Sequence, residues 1–137
     1  MGVEDNKRVV EAYLRSMGGG GPEPGLLAED ARWWLPRLGV VPFEELGKIV
    51  EKVGPRMKTG VTMTIDHITA EGDRVSVEAR GHAKTIDDKD YDNAYHFLFF
   101  LRDGKIVEIH EHGDSAYAHR IFGFNPFEEL EARTAGG

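Results

Sequence analysis

Two residues that could carry acid/base chemistry lie in the stretch 91–114, where two runs rich in aromatic and β-branched residues flank Asp103-Gly104. Asp-Gly between such runs is a strong hairpin signal, because a tight turn of this kind needs positive φ at its centre. Counting outward from that turn predicts that His96 faces Glu111 across two antiparallel strands. Carboxylate pairing raises a histidine pKa and burial lowers it, which suits a proton shuttle near neutral pH. We therefore predict His96 as the general acid/base, oriented by Glu111.

The same register sorts the hairpin into two faces, because directly opposed residues share a face. The His96 face also holds Leu98, Phe100, Val107, Ile109 and Glu111, whereas the other face holds Tyr95, Phe97, Phe99, Glu108, His110 and His112. A turn centred on residues 88–89 adds small residues of the preceding strand to the His96 face: Val75, Val77, Ala79, Gly81 and Ala83. They predict unfilled volume beneath a covering helix, and therefore an apolar pocket. A one-residue slip of that strand would instead place Glu78 and Arg80 in the pocket.

The residues expected to bind a substrate follow from this pocket. Trp33 and Trp34 are adjacent in a predicted short strand over 31–35, so one side chain should face inward and the other outward. We predict that the pocket is lined by Trp34, Leu35, Leu98, Ile109, Ala79 and Phe100. The opposite sheet face combines aromatic residues with arginine and histidine, which suits a homodimer interface.

Several elements must position these residues. Apolar residues at helical spacing predict helices over 4–17 and 42–53, with a short helix over 26–30. A glycine-rich run at 18–21 predicts a flexible connection. Alternating residues predict strands over 61–69, over 74–86 and through the hairpin, followed by short helices over 115–122 and 127–133. Helices followed by a strand meander predict an α+β fold, with one domain over residues 1–137.

Composition limits the possible partners of this 137-residue chain. Its net charge of -7 argues against a nucleic-acid partner, and it has no cysteine for a disulfide, a thiolate metal site or a cysteine nucleophile. No signal peptide or membrane-spanning run is expected, so we predict a cytoplasmic protein without a membrane partner. His110 and His112 point away from Glu111 in a strand, so we expect neither a three-ligand metal site nor a metal cofactor.

Four short motifs resemble the SnoaL-like branch of the nuclear transport factor 2 superfamily. They are Ala70-Glu-Gly-Asp-Arg-Val75, Tyr91-x-Asn93-x-Tyr95, Asp103-Gly-Lys-Ile106 and Glu111-His-Gly-Asp114. The resemblance implies a cone-shaped α+β barrel, usually dimeric, with an apolar cavity between a curved sheet and its helices. The superfamily contains ketosteroid isomerases, limonene epoxide hydrolases and polyketide cyclases. It therefore implies cofactor-independent isomerase, epoxide hydrolase or cyclase chemistry on a hydrophobic, polycyclic or terpenoid substrate.

The resemblance also assigns roles to single residues. Compared with ketosteroid isomerases, His96 falls at the oxyanion-side aspartate and Tyr13 near the helix tyrosine, so Tyr13 is a further catalytic candidate. Leu35 stands where their general-base aspartate lies, which argues against the isomerase mechanism as such. Compared with limonene epoxide hydrolases, Glu111 falls on the aspartate that activates water, while Glu78-x-Arg80 represents their Arg-x-Asp in reversed order.

Two functions remain open from the sequence. One is the acid/base enzyme described above, and the other is a non-catalytic module that holds an apolar ligand in the cone or serves as a dimerisation domain. Fold alone does not decide between them, because one fold hosts many functions. For His96 itself, the alternative to catalysis is a histidine that only bonds two strands together.

Overall fold

A computed structural model describes residues 2–17, 23 and 25–135; the glycine-rich run at 18–21, predicted as a flexible connection, lies outside the described residues. The helices are α1 (Val3–Ser16), α2 (Glu44–Val53), α3 (Ser115–Phe122) and α4 (Glu128–Ala135), and one 3₁₀ turn covers Gly54–Arg56. The strands are β1 (Leu27–Leu35), β2 (Gly39–Pro42), β3 (Thr62–Glu71), β4 (Arg74–Lys84), β5 (Asp90–Arg102) and β6 (Lys105–Gly113).

The six strands form one curved, unclosed sheet in the order β2-β1-β6-β5-β4-β3. Strands β3 to β6 are the predicted antiparallel meander, β2 pairs antiparallel with β1, and β1 runs parallel to β6. Helix α1 packs on β3, β4 and β6, so the helices cover one face of the sheet. The predicted α+β cone-shaped fold is confirmed.

The N-terminal half of β1 differs from the prediction. Residues 26–30 were expected to form a short helix, but Leu27 pairs with Ile106 as part of a continuous strand. The Ile106 amide also donates a 2.9 Å hydrogen bond to the Leu26 carbonyl. This partner is distant in the sequence, and its ladder hydrogen bonds override the local helical pattern.

The core lies between the inner face of the sheet and helix α1. Val10, Tyr13 and Leu14 recur at helical spacing and form the buried stripe of α1. Across from them, inward residues of β4 and β5 are 0–4% exposed: Val75, Val77, Ala79, Phe97, Phe99 and Leu101. The inward Ala83 and Tyr91 instead form a second cluster with Ala118 and Phe122 of α3. The small β4 residues therefore lie on the inner face, as predicted, but their neighbours on β5 are not the predicted ones.

The register of the β5–β6 hairpin explains the change of neighbours. The Asp103-Gly104 turn has positive φ at both residues and Leu101 pairs with Ile106, both as expected. Beyond that pair Val107 is an extra residue, so Phe100 pairs with Glu108 instead of Val107. A bulge of this kind shifts every later pair by one residue. Both Ile106 and Ile109 consequently face the core, although they are three residues apart.

The β4–β5 turn also differs from the predicted one. Residues 85–89 form a longer connection in which Asp88 has a φ of 59° and the Thr85 amide bonds to the Lys89 carbonyl at 2.9 Å. Gly81 consequently pairs with Asn93 instead of His96, and Ala79 pairs with Tyr95. The odd-numbered residues of β5 share the inner face with the small residues of β4.

Two details of the helices matter for the site. Helix α3 is capped by Asp114, whose carboxylate accepts a 3.0 Å hydrogen bond from the Tyr117 amide. The stretch after α3 begins with Asn125, whose side chain accepts a 3.0 Å bond from the Phe127 amide. No helix within the described part of the chain is long and apolar enough to cross a membrane.

Candidate functional site

A cavity of about 200 Å³ opens at the end of the cone where β1, β6 and α4 meet. Its wall is formed by Leu35, Pro36, Arg37, Leu38, Glu111, Gly113, Ser115, Phe127 and Glu131. The β1–β2 turn supplies one side, β6 supplies the floor, and the start of α4 supplies the opposite side. The cavity therefore combines apolar wall groups with a few ionisable ones, as small-molecule sites do.

Glu111 is the carboxylate on the floor of this cavity. It pairs with Phe97 and faces the interior of the cone, and no cation forms an ion pair with it within the described residues. Burial removes water from the carboxyl group and raises its pKa from 4.5 to about 7. At neutral pH Glu111 consequently exists in both protonation states, which is the condition for giving and taking protons.

Trp33 is an interior neighbour of the Glu111 carboxyl group. Its side chain is 1% exposed, and its indole N–H acts against burial by lowering the Glu111 pKa. The same N–H meets no acceptor within ordinary hydrogen-bond limits in the described part of the chain. The indole N–H therefore offsets the effect of burial only in part, and burial is the dominant influence on the carboxyl pKa.

Three tyrosines lie within electrostatic range of Glu111. Burial is the main cause that raises the pKa values of Tyr13, Tyr91 and Tyr95, and the Glu111 charge raises all three further. Their phenol groups are therefore neutral at physiological pH and can donate hydrogen bonds. Tyr13 is held by α1, with its ring edge-on to Phe99 at a centroid distance of 5.8 Å.

Asn93 orders the two tyrosines of β5. Its side-chain oxygen accepts from the Asp114 amide at 3.3 Å, and its side-chain nitrogen donates to the Asp114 carbonyl at 3.2 Å and to the Tyr91 hydroxyl at 2.9 Å. The Tyr91 hydroxyl is in turn hydrogen-bonded to the Tyr95 hydroxyl. Either hydroxyl can be the donor of this bond, which links Tyr95 through Tyr91 to Asn93.

Two glycines in the neighbouring strands leave room for the Tyr95 ring. A Cβ atom at Gly81 would lie 2.9 Å from the Tyr95 ring, and a Cβ atom at Gly113 would also lie 2.9 Å from it. The space that these glycines leave is thus filled by an aromatic ring. The volume predicted beside the small residues of β4 is occupied at Gly81, and the cavity lies toward β1 and α4 instead.

A sequence model of the SnoaL-like domain matches residues 10–109, which is most of the chain. The chain belongs to the SnoaL-like family. Among curated proteins, none matches its sequence significantly. The match begins within α1 and ends within β6, so it covers most of the sheet, whereas Glu111 and α4 lie beyond its last residue.

Solved structures share the fold of this SnoaL-like domain at low sequence identity. AclR from Streptomyces galilaeus, a candidate hydroxylase, is 14% identical with a TM-score of 0.76, covering 89% of this chain and 98% of its own. IdmH from Streptomyces antibioticus, a candidate polyketide cyclase, is 17% identical with a TM-score of 0.71, covering 86% and 98%. A candidate SnoaL-like polyketide cyclase from Jannaschia sp. CCS1 is 18% identical with a TM-score of 0.70, covering 88% and 92%.

The predicted contact between His96 and Glu111 is wrong. His96 pairs with His112 and Glu78 on the outer sheet face, is exposed, and has its Nε2 atom 2.9 Å from the Ser76 hydroxyl oxygen. The bulge at Val107 and the longer 85–89 connection together turn His96 away from the cavity. A general acid/base role for His96 within the cone is therefore not compatible with its position.

The other predicted site residues divide between the two faces. Leu35 lines the cavity, and Ile109 and Ala79 are buried on the inner face, although the cavity wall does not include them. Trp34, Leu98 and Phe100 are outward, because Trp33 takes the inward position of the tryptophan pair. Glu78 and Arg80, the alternative pocket residues, lie in an open groove on the outer face beside Asp66, His96 and His112.

The outer face differs in composition from the one predicted to form a dimer. Tyr95, Phe97 and Phe99 are inward, and Leu98 and Phe100 take their places beside the outward histidines. Trp34 stacks on His110 at a centroid distance of 4.8 Å, and Phe100 lies 4.9 Å from the same ring. Dimerisation through this face stays a prediction.

No group of three or more His, Asp or Glu in the described ranges is arranged to hold a metal ion.

Sequence reasoning missed Trp33, Asn93 and Tyr95 as inward groups, and it gave no role to Arg37. One signal was present: Ile106 and Ile109 are both strongly apolar but three residues apart, which strict alternation cannot place on one face. A bulge between them is the usual solution. Gly81 and Gly113 were a second signal, because glycines in neighbouring strands often make room for an aromatic ring.

Proposed function

We propose that this SnoaL-like domain is a cofactor-independent acid/base enzyme of the isomerase or cyclase type, acting on an apolar small molecule in the cavity. The observation that supports it is Glu111, a carboxyl group on the cavity wall whose pKa is raised to about 7 by burial. Perturbed carboxyl groups in clefts are frequent general acids and bases. The two neighbouring folds from candidate polyketide cyclases are consistent with that class.

In the proposed reaction the ionised Glu111 removes a proton from a carbon next to a substrate carbonyl. The electron pair of that C–H bond moves to the carbonyl oxygen and forms an enolate. Tyr13 and Tyr95 are neutral phenols in the cone interior near Glu111, but the cavity wall does not include them, so no step of the proposed reaction is assigned to them. With a β,γ-unsaturated ketone the enolate is conjugated, and protonated Glu111 returns the proton to its far carbon in an isomerisation. In a cyclisation the enolate carbon attacks a second carbonyl, whose oxygen takes the proton back from Glu111.

The test is deuterium exchange into a two-ring ketone, 2-tetralone, in heavy water, followed by NMR. The wild type should exchange the hydrogens beside the carbonyl faster than buffer does, and the rate should rise with pH through about 7 as Glu111 ionises. Glu111→Gln should lower the enzymatic rate by roughly 10²–10⁴-fold, the usual contribution of a positioned general base.

Glu108→Gln is the matched control for that substitution. Glu108 is three residues away on the same strand but lies on the outer face, bonded to Arg32 at 3.0 Å and to His110 at 2.6 Å. The control should exchange at the wild-type rate. Equal exchange rates in the wild type and in Glu111→Gln would show that Glu111 is not the general base.

The non-catalytic binding module remains a second candidate function. Leu35 on the cavity wall favours it, because the resemblance to ketosteroid isomerases places their general-base carboxylate at this position. In that case 2-tetralone would bind the cavity with measurable affinity, yet the exchange rate would equal that of buffer. Calorimetric binding and exchange measured on one sample separate the two functions.

A further inference from the structure

Arg37 is a cation on the cavity wall that acid/base catalysis by Glu111 does not require. It lies in the turn between β1 and β2 and lines the cavity beside Leu35 and Leu38. It forms no ion pair or side-chain hydrogen bond with any described residue, including Glu131 across the cavity mouth. All donors of its guanidinium group are therefore available to a ligand.

The backbone at Arg37 is a second, independent observation. The Leu38 amide donates to the Leu35 carbonyl at 3.2 Å, so Pro36 and Arg37 are the central residues of a tight turn. Arg37 has a φ of 71°, a conformation in which the third turn position is usually glycine or asparagine. The other non-glycine residues with positive φ in the described chain are Asp88 and Asp103, and aspartate tolerates this conformation well. An arginine held in an unfavourable backbone conformation at a cavity wall indicates a role for its side chain.

We propose that Arg37 selects substrates that carry an anionic carboxylate on an apolar ring body. The inference rests on the proposed function for the location of the substrate, and it adds the substrate class. A planar guanidinium group binds a carboxylate with two parallel hydrogen bonds, which fixes the orientation of a planar ligand as well as its affinity. The apolar wall groups Leu35, Leu38 and Phe127 suit the ring body.

Two other charges face this site and set its pH dependence. Glu131 of α4 lies on the same wall and opposes an anion, and Glu111 on the floor opposes it when ionised. Because the Glu111 pKa is about 7, a carboxylate ligand meets less repulsion at pH 6 than at pH 8. At pH 6 the ligand carboxylate keeps its charge, since the ordinary pKa of a carboxylic acid lies well below 6.

The experiment compares 1-naphthoate with 1-naphthamide, which have nearly the same shape and differ in charge, by isothermal titration calorimetry. At pH 6 the wild type should bind the acid about tenfold more tightly than the amide, the scale expected for one charged hydrogen-bonded contact. Arg37→Leu should reduce that ratio to about one, and Arg37→Lys should keep part of it. Glu131→Gln should increase the affinity for the acid and leave that for the amide unchanged.

Two further variants serve as controls. Arg74→Leu removes an exposed arginine that also lacks an ion pair among described residues but lies away from the cavity, and it should keep the wild-type ratio. Arg37→Gly should unfold at the wild-type temperature or above it, because glycine accepts the positive φ, and should still lose the preference for the acid. This separates loss of the charge from loss of the fold.

The outcomes also separate this inference from the proposed catalysis. An acid-to-amide ratio that is unchanged in Arg37→Leu overturns the role of Arg37 while leaving Glu111 catalysis intact. A ratio that depends on Arg37, without ketone exchange in the wild type, supports the substrate class and overturns the catalysis. Failure of both naphthalene probes to bind the wild type overturns the substrate class, while deuterium exchange into 2-tetralone still decides the catalysis.

Discussion

Side chains of the same type lie in opposite environments on the inner and outer faces of the sheet. On β6, Glu108 faces outward and is bonded to Arg32 and His110, whereas Glu111 faces inward, without a cation partner among the described residues. On β1, Trp34 stacks on a histidine at the surface while Trp33 is 1% exposed. Residue type alone therefore does not assign function in this fold. The face on which a residue lies decides whether it can act on a substrate.

The largest expected difference between the faces concerns the two tryptophans. Trp33→Ala should lower the free energy of unfolding by roughly 3–5 kcal/mol, because it removes a large buried side chain and leaves a void. Trp34→Ala should cost about 1 kcal/mol, mainly the lost contact with His110. Urea denaturation of both variants measures the difference. Similar losses in the two variants would contradict the assignment of Trp33 to the interior.

The second difference concerns the pH dependence of stability at Glu111. A folded-state carboxyl pKa above its ordinary value means that the folded chain holds this proton more tightly, so Glu111 lowers stability as pH rises from 4.5 to about 7. With about 1.4 kcal/mol for each pKa unit, the full penalty above pH 7 is about 3 kcal/mol. Glu111→Gln should therefore be more stable than the wild type by up to about 3 kcal/mol at pH 8.

The same substitution should give no advantage near pH 4, where Glu111 is protonated in both the folded and the unfolded chain. Urea denaturation at a series of pH values measures this dependence. Glu108→Gln should show no comparable gain at pH 8, because it removes a paired carboxylate from the outer face. A constant difference between Glu111→Gln and the wild type at all pH values would disprove the raised pKa of Glu111.

The smallest expected effect concerns His96 on the outer face of the sheet. His96→Gln should change the free energy of unfolding by less than about 0.5 kcal/mol, as for most exposed positions, because it loses mainly the bond to Ser76. It should also leave ketone exchange at the wild-type rate. Thermal unfolding and the exchange assay check both statements. Loss of exchange in this variant would indicate that His96 faces the cavity and would contradict the strand register described above.

The sequence contained the elements of the meander and the inward set on β4, because both depend on local alternation. The Asp103-Gly104 turn and the first pair beyond it, Leu101 with Ile106, were also predictable from turn chemistry. The faces of β5 were not, because the extra residue Val107 and the 85–89 connection each change the strand pairing, and the sequence held a signal only for the first, in the spacing of Ile106 and Ile109. The bulge lies between the Asp103-Gly104 turn and Glu111, and the 85–89 connection lies before His96 in the chain.

Long-range pairing explains what else was missed. The start of β1 pairs with Ile106 of β6, far along the chain, so no local pattern around Leu27 could reveal a strand there. Arg37 was not recognised because its significance comes from a cavity wall and a backbone angle, and neither is visible in residue types. Glu111 faces the interior opposite Phe97, whereas the prediction paired it with His96.

The bulge at Val107 has a consequence for how this fold can vary. Regular pairs lie on both sides of it, with Leu101 opposite Ile106 and Phe100 opposite Glu108, so removing Val107 would keep every pair and every face unchanged. What would be lost is the local bend that an extra residue gives to a strand. The number of residues in β6 therefore determines the curvature of the cone at this point. A deletion of Val107 would reshape the cavity without altering a side chain that lines it.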